Sequence, residues 1–84
     1  MQEEKKEHQV QIYLNSRPRM VDMGKLSFRD VVVLYYGSYD ENPNIAYTVS
    51  YKRNEHTPSF SMVDGDVVQV IEGMMLSVSK TDKS

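Results

Sequence analysis

Cysteine is missing from this sequence altogether, and so is tryptophan. The first absence removes disulfide staples, thiolate zinc sites and a cysteine nucleophile, and it fits a reducing compartment. Glycine is scarce, with 4 residues in 84, and none stands in the pattern of a phosphate-cradling loop. No G-x-S-x-G elbow is present either, so hydrolase and nucleotide-binding chemistry have no motif to rest on, and the chain is not expected to be an enzyme. An excess of one charge is also lacking. Ten basic and 12 acidic side chains leave a net charge of -2, without the basic stripe that a nucleic-acid binder needs. No apolar run approaches the roughly 20 residues of a membrane-spanning helix. The charged start Met1-Gln2-Glu3-Glu4-Lys5-Lys6-Glu7 has no secretory apolar stretch behind it. The expected setting is therefore cytoplasmic, with neither nucleic acid nor membrane as partner.

The chain is long enough for one domain with a small core. Residues 1–8 are charged or polar and read as a mobile N-terminal tail. From Gln9 to Asn15 polar and apolar residues alternate, with Val10, Ile12 and Leu14 on one side, which predicts a half-buried strand. Asn15-Ser16-Arg17-Pro18 reads as a turn, followed by a return strand over 19–23 that begins near Pro18 at a sheet edge. Ser27 is a candidate N-cap with Asp30 as acidic partner, although Asp is shorter than the Glu of a capping box. Phe28, Val31, Val32 and Tyr35 then fall at i, i+3, i+4 and i+7, and Gly37 supplies a stop, so a short helix is expected over 28–36. Alternation returns over 45–51. Asp64-Gly65 marks a turn, 67–71 a short strand, Glu72-Gly73 another turn, and 74–79 a last strand with Met74, Leu76 and Val78 facing alike. Residues 80–84 read as a flexible polar tail.

The order β-β-α-β-β-β implies an α+β domain with one helix packed across a mixed sheet of about four to five strands. The first and last strands of the domain, residues 9–79, are expected to lie side by side and parallel at its centre, which is the β-grasp topology.

Charged clusters have a plain reading. His8 and His56 lie in a tail and a loop, and a metal site needs several converging ligands. Asp40-Glu41-Asn42 and the Asp64/Asp66 pair offer oxygens suited to calcium, but their spacing is not that of an EF-hand, and the same residues are ordinary turn formers. No metal and no cofactor is expected. More informative is the sheet face turned away from the helix. Alternation directs Tyr13, Ile71 and Met75 there, with Val67 if its strand keeps register. Apolar residues on such a face suggest a docking patch; the alternative is a register slip that returns them to the core.

Three stretches carry a family likeness: Tyr47-Thr-Val-Ser-Tyr-Lys-Arg53, Asp-Gly-Asp-Val-Val-Gln-Val at 64–70, and the ending from Glu72 to Ser84. With the helix start Ser27-Phe-Arg-Asp-Val-Val, they make residues 9–84 resemble the single-domain bacterial ubiquitin-like proteins, relatives of the multiubiquitin-domain family. The resemblance implies a β-grasp protein modifier that works with E1-like and E2-like proteins and a JAB-type or other peptidase, in some cases in phage defence. Such a modifier acts through its C-terminus, which would involve Thr81, Asp82, Lys83 and Ser84. No Gly-Gly closes this sequence, and Gly73 precedes the last predicted strand, so the reacting carbonyl would be that of Ser84 or of a residue exposed by trimming. The reading set against it is a non-conjugated module for protein interaction or self-association; a sulfur-carrier role ranks third.

Overall fold

The computed structural model describes residues 8–83; residues 1–7 of the N-terminal tail expected over 1–8, and the final Ser84, lie outside them. Strand β1 (Gln9–Leu14) buries Val10, Ile12 and Leu14 and leaves the residues between them half-buried. Asn15 and Ser16 reverse the chain with φ of 51° and 72°, the left-handed backbone that a two-residue hairpin requires. β2 (Arg17–Asp22) returns antiparallel, in register from Leu14↔Arg17 to Gln9↔Asp22. It starts one residue before Pro18, because so short a turn makes Arg17 the first paired position. His8, expected in the tail, already accepts a hydrogen bond at its carbonyl from the Met23 N–H at 2.6 Å.

β3 (Lys25–Ser27) leads into α1 (Phe28–Tyr36). The capping box at its start is complete despite the short aspartate: the Asp30 N–H donates to Ser27 Oγ at 3.0 Å, and Asp30 Oδ2 accepts from the Ser27 N–H at 2.9 Å. Gly37 closes the helix at φ 87°, its N–H donating to the Val33 carbonyl. Phe28, Val31 and Val32 face the sheet and are buried. Tyr35 departs from the expected stripe. It is 39% exposed because the last helical turn reaches the edge of the sheet, where Tyr35 borders Arg17, Pro18 and Arg19; Leu34 packs on the core instead.

The remaining strands are β4 (Ile45–Lys52), β5 (Phe60–Met62), β6 (Val67–Gln69) and β7 (Met75–Asp82). Five strands form one mixed sheet in the order β2-β1-β7-β4-β5. β7 runs through its middle, parallel to β1 at Tyr13↔Met75 and Leu14↔Leu76 and antiparallel to β4 along its whole length. This is the expected β-grasp arrangement, with α1 across one face. β3 and β6 form a separate two-stranded sheet, so the expected strand over 67–71 is shorter and pairs outside the main sheet. β7 also extends past residue 79. Lys80, Thr81 and Asp82 pair with Tyr47, Ala46 and Ile45, because strand pairing uses backbone groups that polar side chains leave undisturbed.

The core lies between sheet and helix. Ile12, Leu14, Val31, Val32, Val49, Met74 and Leu76 are its fully buried members.

Candidate docking surface on the helix-free face

Because the side chains of a strand alternate between faces, the inward set Ile12, Leu14, Leu76, Val78 and Val49 leaves a complementary outward set. On β1 this ends in Tyr13, and on β7 it begins with Met75, its direct partner across the parallel pair. Lys52 of β4 stands opposite Met75 from the other side. Beyond them the face carries small side chains: Ser77 opposite Ser50, Ser79 opposite Thr48, and Thr81 opposite Ala46. The two large half-buried residues therefore stand at the margin of a low, hydroxyl-rich field.

A depression of about 330 Å³ marks the spot, bordered by Tyr13, Ser16, Lys52, Met75 and Ser77. Gln11 Nε2 lies 3.1 Å from the Tyr13 phenol oxygen and donates to it, which fixes the ring on the strand. An apolar floor with a lysine and hydroxyls at its rim suits a protein surface better than a small polar metabolite.

The other residues singled out for this face fall elsewhere. Val67 is on β6 in the two-stranded sheet, 57% exposed. Ile71 packs against the core, because the turn at Glu72 and Gly73 is held to β1: the Gly73 N–H donates to the Gln11 carbonyl, and a Glu72 carboxylate oxygen accepts from the Gln11 N–H. Of the C-terminal residues, Thr81 and Asp82 are strand-paired, the Lys83 N–H donates to the Asn44 carbonyl at 2.6 Å, and Ser84 lies outside the described residues.

The acidic turn residues are engaged locally. Asp40 accepts from the Asn42 N–H, Asn42 from the Asn44 N–H, and Asp66 from the Val63 N–H. Asp64 makes a two-pronged pair with Arg29, both contacts at 3.0 Å. That hydrogen bonding holds the Asp64 carboxyl below its ordinary range. Among the described residues no three His, Asp or Glu side chains converge as a metal site would need, and no helix is long and apolar enough to cross a membrane.

One cluster has little signature in the sequence. Tyr36 and Tyr39 both pack on Tyr47, with ring centroids 5.8 and 4.8 Å away, and Phe28 meets Tyr39 edge-on. Arg29 stacks over Tyr39 at 4.3 Å and Lys80 stands 5.2 Å from Tyr36. Burial and the nearby Asp64 carboxylate raise the Tyr39 phenol above its usual value. The only advance signal is the density of tyrosine between 35 and 47. The cluster joins the end of α1 to β4 and so braces the part of the sheet that carries the end of β7.

A five-stranded mixed sheet with parallel β1 and β7 in mid-sheet and one helix across it defines a ubiquitin-like β-grasp protein. The sequence model of the multiubiquitin family matches residues 10–82, which is nearly the whole chain, and the protein belongs to that family. Neither the curated proteins nor the solved structures compared with it gave a match.

Proposed function

We propose that this chain is a ubiquitin-like modifier, handled in the cytoplasm by E1-like and E2-like proteins and a JAB-type peptidase in a bacterial conjugation pathway that serves phage defence. The observation that supports this reading most is family membership across residues 10–82. In this reading the handling proteins grip the helix-free face at Tyr13 and Met75, and the C-terminal carboxylate does the chemistry. ATP converts that carboxylate to an acyl adenylate with release of pyrophosphate. An enzyme thiolate displaces AMP, and a target amine then displaces the thiolate. Entry of the C-terminal segment into the enzyme requires release of the β4–β7 pairing, which runs through Asp82, and of the Lys83 bond to Asn44.

The test is to incubate the chain with its E1-like partner and ATP and to measure intact mass. The expected result is an adduct at the C-terminal carboxylate, formed more slowly by the double variant Tyr13→Asp/Met75→Lys. Absence of an adduct from both the full-length and a tail-trimmed chain refutes the reading.

The competing reading is a non-conjugated interaction or self-associating module. It is favoured by the pairing of Thr81 and Asp82 with β4 and by the Lys83 bond to Asn44, which tie down the segment an enzyme would have to thread. Under it, the same double variant loses partner binding or self-association, and no adduct forms under any condition.

A further inference from the structure

The grip on the last strand weakens along its length. At Met75 and Leu76, β7 has a strand on either side, β1 and β4. Beyond the end of β1, the Asn15 amide holds the Val78 N–H and carbonyl, both at 2.9 Å. From Ser79 to Asp82, β4 is the only strand beside β7 among the described residues. β4 is single-sided there too, because β5 pairs with Val49, Ser50 and Tyr51. Residues 45–48 and 79–82 therefore form a two-stranded ribbon at one end of the sheet, and such a ribbon is marginal in water by itself. Val78 is also the last buried residue; each one from Ser79 to Lys83 is exposed.

The bonding within the ribbon follows from its tip. The Lys83 N–H donates to the Asn44 carbonyl at 2.6 Å, while the Ile45 N–H turns away and donates to the Asn42 carbonyl. Close and wide positions alternate along an antiparallel pair. Thr81–Ala46 and Ser79–Thr48 are therefore the pairs that exchange hydrogen bonds, and Asp82–Ile45 and Lys80–Tyr47 are those that do not. A brace comes from the helix side. Lys80 stands 5.2 Å from the Tyr36 ring, and Tyr47, its cross-strand partner, packs on Tyr36 and Tyr39.

We propose that residues 79–83 are a latch, closed on β4, that opens as one unit with Val78 as its stop and that governs access to the C-terminal segment. What the latch withholds follows from the modifier reading; that it opens as a unit follows from the pairing alone. With the latch closed, the segment cannot extend into an enzyme, so the rate of its reaction scales with the fraction of molecules that are open.

Because the chain has no cysteine, one introduced pair gives one defined disulfide. Ile45→Cys/Asp82→Cys suits this, since Cα atoms of a non-hydrogen-bonded pair lie about 4.5 Å apart, within disulfide range. Oxidised, it staples the latch shut; reduced and capped with iodoacetamide, it is its own control. Ala46→Pro removes the N–H that pairs with Thr81 and leaves the tail sequence untouched. Tyr36→Ala, which removes the brace without altering either strand, replaces Ala46→Pro if that variant does not fold.

Two readouts apply. In amide exchange, Ala46, Thr48, Ser79 and Thr81 are expected to share one opening constant, and Val78 and Ser77 to be protected at least about tenfold more, as one or two further hydrogen bonds imply. Asn15→Gly is expected to bring Val78 into the opening unit. With the E1-like protein and ATP, the stapled chain is expected to form the adduct at least about tenfold more slowly than the capped chain, and Ala46→Pro several-fold faster than the wild type. Opening graded residue by residue from Lys83, or protection of Ser79 and Thr81 equal to that of Ser77, overturns the latch. Equal adduct rates from stapled and capped chains overturn its control of access and leave the modifier reading standing. No adduct from any form, with the four amides opening together, overturns the modifier reading and the control of access with it.

Discussion

At the scale of single residues, Asn15 does unusual work. β1 ends at Leu14, yet β7 continues, and the Asn15 side chain takes the place of the missing strand. Its amide N–H donates to the Val78 carbonyl and its amide oxygen accepts from the Val78 N–H, both at 2.9 Å. Asn15→Gly keeps the left-handed backbone and removes only this clamp, so it is expected to lower stability by about 1–2 kcal/mol in urea unfolding. Its neighbour Ser16 has φ 72° and pays for a conformation that suits glycine; Ser16→Gly is expected to raise stability by about 1 kcal/mol in the same assay. Arg29 and Asp64 give a pH signature. Hydrogen bonding to Arg29 depresses the Asp64 pKa in the folded state. Such a group contributes stability above its unfolded pKa, near 4, and loses that contribution as the pH falls through the lower folded value. The thermal midpoint of the wild type is therefore expected to exceed that of Asp64→Asn at neutral pH, with the gap closing below about pH 4. A gap that persists undiminished in acid would show that the pairing is not its source.

At the scale of elements, legibility followed period. The alternation of Val10, Ile12 and Leu14 and that of Val49 and Tyr51 gave two strands, and Ser27 with Gly37 bounded the helix, because each pattern extends over enough residues to show its repeat. β3 and β5 are three residues each, too short for any repeat. The end of β7 was hidden for another reason: Ser79, Lys80, Thr81 and Asp82 are polar, and only their backbones pair. Of the helix-free face, Tyr13 and Met75 were legible from alternation plus parallel pairing. The places of Val67 and Ile71 were not, since they depend on where β6 pairs and how the turn at Gly73 docks. Two predictions belong to this scale. Ser27→Ala is expected to destabilise the protein by about 1 kcal/mol through loss of the helix cap. The stretch where 45–48 pairs with 79–82 lacks the further strand neighbours that flank the middle of the sheet. Amides of Ala46 and Thr81 are therefore expected to exchange with solvent faster than those of Ser50 and Ser77. Equal protection would mean that the end of β7 is as firmly held as its middle, which would count against its being drawn into an enzyme.

At the scale of the whole molecule, α1 covers one face of the sheet and no described element covers the other, and under the proposed function this division separates stability from recognition. Tyr13 and Leu14 are adjacent in sequence, as are Met75 and Leu76, yet the members of each pair look in opposite directions. Leu14 and Leu76 are 1% and 2% exposed and sit in a core that a chain of this size cannot duplicate elsewhere. Leu76→Ala leaves a cavity beside Leu14 in the core and is expected to cost about 2–5 kcal/mol, comparable to the whole stability of so small a domain. Tyr13→Asp/Met75→Lys places its charges where solvent already reaches, beside Lys52 and the serines of β4 and β7. It is expected to leave the denaturant slope unchanged and the thermal midpoint within a few degrees, while partner binding is lost. The slope matters because it reports the surface exposed on unfolding. If the double variant unfolds like Leu76→Ala, Tyr13 and Met75 belong to the core and the helix-free face is not a docking surface; if it stays folded and still binds, recognition runs through another surface.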